Sequence, residues 1–368
     1  MPMTAHVKPP TSEKFCRVCI TTSNAPLRKR AAPSAFSGGA MQKKKEECMS
    51  ELLDIQTVIS RLLRHDHILL LCHKNPDGDT LGSAGALFHA LKNLGKTVAV
   101  LCSDAIPEKY RYLQLGLFDG SFEPEYVVAV DVAGIQLFGD GVQPYSERVD
   151  LCIDHHPSNG GYADAMLLQG DAAATAEIMY DVLCAMNAEI TPMIAECLYT
   201  GLSTDTGCFK FANTTARTHL VAARLIEAGA DLVRLNGVLF ESKTRSQLAI
   251  ERLALENLTY YYDNRCAVVC LTREQIAQTG ADATDIEGVT GIARAIEGVK
   301  VGITMRQQPS SSYKVSVRTV PGVDASAICS RLGGGGHKQA AGCEIMGSLE
   351  NARAAILSEV ERVLCTES

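Results

Sequence analysis

Several residue types that would favour particular functions are scarce or absent in this chain of 368 residues. Tryptophan is absent and aromatic residues make up 5% of the chain, so a surface that stacks many nucleic-acid bases is not expected. The chain has no apolar run long enough to span a bilayer, so we predict no membrane association. The fourteen cysteines are scattered and form no disulfide pattern, and no signal peptide is apparent. These features predict a reducing, cytoplasmic environment.

The first 48 residues differ in composition from the rest of the chain. They are rich in Pro, Ser, Ala and basic residues, with nine Lys/Arg and three Asp/Glu, and they lack apolar periodicity. We therefore predict a disordered tail at 1–48. The low acid content also fits a transit peptide. The interpretation we prefer is a gene start placed too far upstream, since Met41 and Met49 lie close to the first periodic segment. Cys16 and Cys19 form a CxxC pair without a partner pair, a weak signal for a zinc-binding adaptor.

Positive charge is too scarce in the rest of the chain for binding to long nucleic acids. The chain has 35 basic and 42 acidic residues. Without the tail, 26 basic and 39 acidic residues remain, a net charge of −13. Binding to polynucleotide phosphates requires neutralisation by Lys and Arg. We therefore expect small nucleotides or short oligoribonucleotides as partners, and no long duplex nucleic acid.

From residue 51 onward, apolar runs alternate with segments of helical periodicity. The apolar runs, each typical of a buried strand, lie at 68–72, 97–102, 126–130 and 149–153, with Asp150 as the one charged residue among them. Helical periodicity separates them, for example at 80–94, 172–186, 192–202 and 215–228. This alternation predicts the α/β class, with a parallel sheet that carries helices on both faces.

Residues 73–79, His-Lys-Asn-Pro-Asp-Gly-Asp, lie between the first of these strands and the helix that follows. Pro76 and Gly78 predict a tight, irregular loop. The imidazole of His73 and the carboxylates of Asp77 and Asp79 could converge on a divalent metal ion. Alternatively, Asp79 caps the helix and Asp77 lies in a turn.

Acidic and histidine residues recur where other predicted strands end. Asp131 follows the strand at 126–130, and His155 follows the strand at 149–153. Asp205 lies in a loop bounded by Gly207 and could join them. In open parallel sheets, ligands bind beyond the carboxyl ends of the strands. Since carboxylates in one crevice repel one another, this arrangement predicts two metal ions that balance their charge.

The order of these motifs resembles the DHH phosphoesterase superfamily. The four motifs are the 73–79 stretch, the strand that ends at Asp131, Asp-His-His at 154–156, and Ser-Thr-Asp-Thr-Gly at 203–207. A fifth, Gly-Gly-Gly-Gly-His-Lys-Gln-Ala-Ala-Gly at 333–342, is similar to the signature of the associated C-terminal domain. The length of the chain and the residues of its motifs most resemble the NrnA-type members, which are bifunctional oligoribonucleases that also hydrolyse 3′-phosphoadenosine 5′-phosphate (PAP).

The resemblance implies a ligand set for two divalent ions, most often manganese in this superfamily. It implies that His73 and Asp77 hold the first ion and that Asp131 bridges both. The second ion would be held by Asp79, His155 and Asp205.

The resemblance also implies roles near the phosphate. His156 and Asp131 would be the catalytic residues, with His156 as a charge stabiliser or proton donor. A supporting hydrogen bond is the alternative role for His156, and Asp154 would orient its neighbours rather than bind metal.

The C-terminal part predicts a smaller α/β domain, separated from the first by a cleft. Helices are expected at 241–258, 285–297, 324–332 and 349–364, and strands at 266–271, 300–306 and 313–319. The glycines at 333–336 are not expected inside a helix or strand. Their N–H groups could cradle an anion, with a flexible linker as the alternative. We predict that substrate is held by Arg318, Gly334, Gly335, Gly336 and His337.

These observations predict a metal-dependent phosphoesterase that hydrolyses very short RNA, PAP or both. The predicted organisation is a tail at 1–48, the DHH domain at 49–240, a linker helix at 241–262 and the associated domain at 263–368, with a homodimer as a possibility. A cyclic-dinucleotide phosphodiesterase shares both domains and is the main alternative. Inorganic pyrophosphatases of the superfamily lack the glycine motif, and RecJ-like exonucleases are usually longer. A nucleotide sensor without catalysis would have lost ligands, whereas all are present here.

Overall fold

The computed structural model describes residues 50–365. The predictions for the tail, including Cys16 and Cys19, lie outside this range. The strands are β1 (Glu51–Leu52), β2 (Ile68–Leu71), β3 (Val98–Leu101), β4 (Tyr126–Val130), β5 (Leu151–Asp154), β6 (Ala165–Leu168), β7 (Leu258–Tyr261), β8 (Cys266–Leu271), β9 (Val301–Gln307), β10 (Ser312–Thr319), β11 (Gly335–His337) and β12 (Ala340–Met346). The α-helices are α1 (Ile55–Arg64), α2 (Gly78–Asn93), α3 (Gln143–Ser146), α4 (Thr175–Ala185), α5 (Pro192–Asp205), α6 (Ala216–Glu227), α7 (Leu232–Asn236), α8 (Arg245–Glu256), α9 (Arg273–Thr279), α10 (Ala283–Gly288), α11 (Ala325–Ser330) and α12 (Leu349–Cys365).

The first sheet contains six parallel strands in the order β1-β6-β5-β4-β2-β3. Its central strands β2 and β4 are buried on both faces, which explains why their sequences are continuous apolar runs rather than alternating ones. Because all six strands run in one direction, their carboxyl ends lie at a single edge. The parallel α/β sheet predicted from the sequence is confirmed.

Helical segments cover the two faces of this sheet unequally. On one face, side chains such as Leu70 and Val128 pack with buried residues of α1, α2, α4, α5 and α6. On the other face, Leu69 and Val127 pack with Phe138 and Val142, which lie at the ends of two short 3-10 turns ahead of α3. The long helices α2, α4 and α5 therefore approach the sheet from the same side, and their ends reach its carboxyl edge.

The second sheet has the order β11-β12-β10-β9-β8-β7. Only β8 and β9 run parallel, and the other neighbouring pairs are antiparallel. Its two faces pack on different helices: α11 and α12 contribute to one core, and α8 contributes to the other. This confirms a second, smaller α/β region, while the cleft between the two regions stays a prediction. Among residues 50–365, no helix has both the length and the apolar character needed to cross a membrane.

Some sequence predictions for the C-terminal part are wrong in detail. The helix expected at 241–258 begins at Arg245, after a turn of π-helix at Gly237–Glu241. The helix expected at 285–297 is broken, because α10 ends at Gly288 and short 3-10 turns follow. The glycine run is not excluded from strands either, since Gly335 and Gly336 pair with β12 in an edge strand.

Candidate metal centre

Three of the predicted ligands lie at the carboxyl edge of the first sheet, each just after a strand. His73 follows β2, Asp131 follows β4 directly, and His155 follows β5 directly. The order β5-β4-β2 makes these strands neighbours, so residues far apart in the sequence lie together. Asp131 adopts a left-handed backbone conformation with φ of +61°, which non-glycine residues rarely occupy. Strained backbone of this kind is often found at functional sites.

The first turn of α2 supplies two carboxylates in different roles. Asp77 is the N-cap, and its Oδ1 accepts hydrogen bonds from the N–H groups of Asp79 (3.0 Å) and Thr80 (3.2 Å). Asp79 lies inside the helix and is 1% exposed. The alternative interpretation of this stretch, in which Asp79 caps the helix and Asp77 lies in a turn, is therefore wrong, because Asp77 is the cap and Asp79 lies in the first turn of α2.

One group of potential ligands contains His73, Asp77 and Asp131. The Nε2 atom of His73 lies 3.6 Å from Asp77 Oδ1 and 3.9 Å from Asp131 Oδ2. These separations are too long for hydrogen bonds. They leave space for a cation between the three side chains.

A second group contains Asp79, His155 and Asp205. His155 Nε2 lies 4.0 Å from Asp79 Oδ2 and 3.6 Å from Asp205 Oδ2. The same nitrogen lies 3.8 Å from Asp131 Oδ1, so Asp131 directs one oxygen toward each group. Asp205 is the last residue of α5, and not part of the loop expected from the sequence.

Both histidines direct Nε2 toward these groups and use Nδ1 for a hydrogen bond to the backbone. His73 donates from Nδ1 to the carbonyl of Lys74 (2.8 Å), and His155 donates from Nδ1 to the carbonyl of Ala172 (3.2 Å). A neutral imidazole that donates from Nδ1 has its lone pair on Nε2. His155 Nε2 is buried and has no hydrogen-bond partner among the described residues. This buried nitrogen, surrounded by carboxylates, fits a divalent metal ion.

In the absence of a cation, the negative charges of the carboxylates in the two groups repel one another. Burial, together with the charges of Asp205 and Asp77, raises the pKa of Asp79 to about 8. Burial and the charges of Asp79 and Asp77 raise the pKa of Asp131 well above its usual value. Burial also raises the pKa of Asp205. Carboxylates in such surroundings require either protons or cations, and divalent ions can satisfy several of them at once.

His156 lies beside the two groups and is held by a separate pair of contacts. Its Nδ1 donates to Asp154 Oδ1 (2.8 Å), and Asp154 Oδ2 accepts a further bond from Asn159 Nδ2 (2.7 Å). The hydrogen bond to Asp154 raises the pKa of His156. His156 Nδ1 also lies 3.6 Å from Asp131 Oδ1. With 42% of its side chain exposed, His156 is accessible to a molecule in solution. The orienting role expected for Asp154 stays a prediction.

Four supporting residues of this centre were not found by sequence reasoning. Ser83 donates a hydrogen bond to the carboxylate of Asp79, and Thr175 donates to the carboxylates of both Asp79 and Asp131. Asn213 donates to the carboxylate of Asp205. Gly201 is the fourth, because a Cβ at this position would lie 2.6 Å from Asp79 Oδ1. Only Thr175 had a sequence signal, a hydroxyl residue just ahead of an apolar run, which often marks a helix start.

The predicted substrate residues all lie on or beside the second sheet. Arg318 on β10 pairs with Ala340 on β12, which in turn pairs with His337 on β11. Directly paired residues project from the same face, so Arg318 and His337 share one face. A pocket of about 620 Å³ adjoins His337 and is lined by Pro321, Gly322, Val323, Asp324, His337, Lys338, Gln339 and Ala340.

The glycine run has a packing role that the sequence reasoning missed. The N–H of Gly334 donates to the carbonyl of Cys329 (2.9 Å), so this N–H is not available to an anion. A Cβ on Gly334 would lie 2.5 Å from the Cβ of Cys343 and would overlap the carbonyl of Gly342. Glycine is therefore required there for close packing on β12, whereas Gly335 has open space around it.

Comparison with known proteins identifies the family. Residues 67–202 match the N-terminal domain of the DHH family, and residues 263–365 match the DHHA1 domain. The bifunctional oligoribonuclease and PAP phosphatase NrnA of Thermus thermophilus is 30% identical over 313 residues, which cover 81% of this chain and 90% of that protein. The chain belongs to the DHH family. All the predicted metal ligands except Asp205 lie within the DHH match, and Arg318 and His337 lie within the DHHA1 match.

Two further proteins are similar to this chain along nearly their whole length. NrnA of Bacillus subtilis, also named a bifunctional oligoribonuclease and PAP phosphatase, is 24% identical over 315 residues, which cover 84% of this chain and 98% of that protein. The crystal structure of an exopolyphosphatase-related protein from Bacteroides fragilis superposes with a TM-score of 0.75 at 24% identity, covering 84% of this chain and 95% of that one. This likeness shows that the two chains share a fold.

Proposed function

We propose that this DHH-family chain is a metal-dependent phosphoesterase that hydrolyses very short oligoribonucleotides, PAP or both. The observation that carries the proposal is the position of Asp131, which directs one oxygen toward each of two ligand groups. The relatives from Thermus thermophilus and Bacillus subtilis, named for both activities, support the choice of substrates.

Six side chains would hold two divalent ions, with Mn²⁺ as the metal we expect. His73 and Asp77 would hold one, Asp79, His155 and Asp205 the other, and Asp131 both. Mixed imidazole and carboxylate ligands suit manganese, iron and zinc. When bound, such a pair of ions lowers the pKa of a water and stabilises the attacking and leaving oxygens of phosphoryl transfer.

His156 would contact the phosphate or protonate the leaving oxygen. Its Nδ1 is already bonded to Asp154, so Nε2 is the atom available to the substrate. The raised pKa keeps more of the ring cationic near neutral pH, which favours contact with an anion. Asp154 and Asn159 would hold the ring in this orientation and would not touch the substrate.

The DHHA1 region would hold the nucleotide. A pocket of about 620 Å³ beside His337 is large enough for part of a nucleotide. Arg318 offers a planar fork that can bind two phosphate oxygens. Among the glycines, Gly335 has the open surroundings that a ligand needs, whereas Gly334 and Gly336 pack closely against β12.

A substrate panel tests the proposal. The purified chain would be incubated with Mn²⁺ and, separately, with PAP, a linear RNA dinucleotide and a cyclic dinucleotide, and the products separated by chromatography. We expect turnover of PAP, of the linear dinucleotide or of both. Turnover of the cyclic dinucleotide alone would favour the alternative phosphodiesterase activity, and no turnover of any substrate would contradict the proposal.

Replacing Arg318 or His337 by alanine is expected to weaken hydrolysis of the nucleotide far more than binding of the metal. Loss of a charge-assisted hydrogen bond costs about 1.5–3 kcal/mol, or roughly ten- to 150-fold in KM or kcat/KM. Bis-p-nitrophenyl phosphate has no nucleoside part, so its hydrolysis should suffer less. Kinetics on both substrates and the Mn²⁺ content would be measured for each variant.

The control for the Arg318 and His337 variants is Arg252→Ala, which removes an exposed arginine of α8 that forms a salt bridge with Glu256. Such surface pairs contribute little, so this variant should resemble the wild type. Equal losses on both substrates, or loss of metal from either substrate-site variant, would contradict the proposal that the DHHA1 region binds the nucleotide while the DHH region binds the metal.

We further propose a cytoplasmic location, short rather than long duplex substrates, and the domain boundaries given above, with a homodimer as a possibility. The net charge of −13 outside the first 48 residues supports short substrates. All eleven cysteines within residues 50–365 are free thiols, which supports a reducing compartment.

A further inference from the structure

The segment Ala172–Ala176 leads into α4 and contacts ligands that arrive from several different elements. We call it the 172–176 junction. The carbonyl of Ala172 accepts the hydrogen bond from His155 Nδ1 (3.2 Å). The N–H groups of Thr175 and Ala176 donate to the two oxygens of Asp79, at 2.6 and 2.9 Å. The junction therefore touches one ligand from the end of β5 and one from α2.

Thr175 adds a contact to a third ligand. Its hydroxyl donates to Asp131 Oδ1 at 2.8 Å, while its N–H donates to Asp79 Oδ2. A single residue thus holds two carboxylates that are 52 positions apart in the sequence, one at the end of β4 and one in α2. Thr175 is fully buried, so water does not compete for these bonds.

Asn213 connects the junction to a fourth ligand. Its Nδ2 donates to the carbonyl of Ala173 (2.8 Å) and lies 3.3 Å from Asp205 Oδ2. Glu177, itself 3% exposed, accepts a bond from the N–H of Ala173 (3.3 Å) and fixes the junction from within α4. Four of the six proposed ligands therefore depend on one short segment for their orientation.

We propose that Thr175 is a positioning residue for the metal centre, which fixes the carboxylates of Asp79 and Asp131 relative to each other. The inference rests on the proposed function, because it assumes that both carboxylates bind metal. The backbone bond to Asp79 survives substitution, so the side chain acts through Asp131 alone. Without the hydroxyl, the Asp131 carboxylate loses the donor that sets its rotation, and its two oxygens no longer face the two ligand groups.

The test compares Mn²⁺ binding by Thr175→Val and Thr175→Ser, measured by isothermal titration calorimetry without substrate. Valine matches threonine in shape but lacks the donor, whereas serine keeps the donor. Loss of a residue that orients a metal ligand typically weakens metal affinity by about 10–100-fold. We expect a loss of this size for valine and near-wild-type affinity for serine. In kinetics over a range of substrate concentrations, valine should lower kcat with little change in KM.

Thr304→Val is the matched control. Thr304 is fully buried in β9, and its hydroxyl has no partner among the described residues. The same chemical change there should leave Mn²⁺ affinity unaltered. If Thr175→Val does not fold, Thr175→Ala replaces it in the comparison with Thr175→Ser.

Wild-type Mn²⁺ affinity in the valine or alanine variant would overturn the proposal. A serine variant that binds Mn²⁺ as weakly as the variant without a hydroxyl would also overturn it. The proposed function fails separately, because a wild-type chain that binds Mn²⁺ yet hydrolyses no phosphoester would leave the role of Thr175 intact.

Discussion

Replacement of Asp131 by asparagine is expected to reduce phosphoester hydrolysis by roughly two to four orders of magnitude. The substitution keeps the shape of the side chain but removes the charge that faces both ligand groups. Two charge-assisted interactions of about 1.5–3 kcal/mol each would be weakened, which gives this range. Steady-state kinetics with Mn²⁺ on PAP and a linear RNA dinucleotide would measure the effect.

The fold should survive this change. Burial and neighbouring carboxylates disfavour the charged form of Asp131 in the folded chain, so a neutral amide should not lower the melting temperature without metal. Asp119→Asn serves as the control, since Asp119 is exposed in a loop and bonds only locally, to the N–H of Ser121. Activity of Asp131→Asn within tenfold of the wild type would refute the bridging role.

Gly201→Ala is expected to disrupt the metal centre from a position that carries no functional group. A Cβ on Gly201 would lie 2.6 Å from Asp79 Oδ1 and 2.7 Å from the Cβ of Ala176. All three residues are buried, so α5 must move away or Asp79 must shift. Overpacking of this kind destabilises by about 1–3 kcal/mol. A misplacement of about 1 Å at a reaction centre can reduce the rate roughly a hundredfold.

Gly237→Ala is the matched control for this substitution. Gly237 has helical backbone angles, and a Cβ there would meet no atom within 4 Å. It should therefore keep full activity and a melting temperature close to that of the wild type. Thermal unfolding and Mn²⁺ titration of both variants would separate the two positions. The same activity and metal affinity in Gly201→Ala as in Gly237→Ala would show that Asp79 needs no such close packing.

The sequence predicts those parts of the fold that carry a strong local pattern. The strands β2 and β4 are continuous apolar runs, and β5 is apolar up to its last residue, Asp154. The residues after these strands lie at one edge because parallel strands point one way. This reasoning brings together His73, Asp131 and His155 without any structural information. The resemblance to the DHH family then assigns each of them a metal, an assignment that stays a prediction.

Elements with weak local patterns were missed. β12 reads Ala-Ala-Gly-Cys-Glu-Ile-Met, and its buried positions Ala341 and Cys343 are small, so its alternation is hard to recognise. β6 has only four residues, and β1 has two. Their pairing with distant strands, rather than their own propensity, makes them strands.

The supporting residues of the metal centre could not be predicted for a related reason. The hydroxyl of Thr175 meets Asp131 across 44 positions, and its N–H meets Asp79 across 96. A single threonine near a helix start is common, and nothing local distinguishes one that reaches a distant carboxylate. The close contact of Gly201 with Asp79 likewise depends on how α5 packs on α2.

The number of Mn²⁺ ions bound per chain, determined together with turnover on the same sample, tests the central claim most directly. Equilibrium dialysis followed by elemental analysis would give the number of ions, and hydrolysis of PAP and a linear RNA dinucleotide would be followed before and after chelation. We predict two ions per chain, loss of hydrolysis when they are removed, and recovery when Mn²⁺ is returned. Hydrolysis that continues unchanged after complete removal of metal, or a folded chain that binds no divalent ion, would contradict the account.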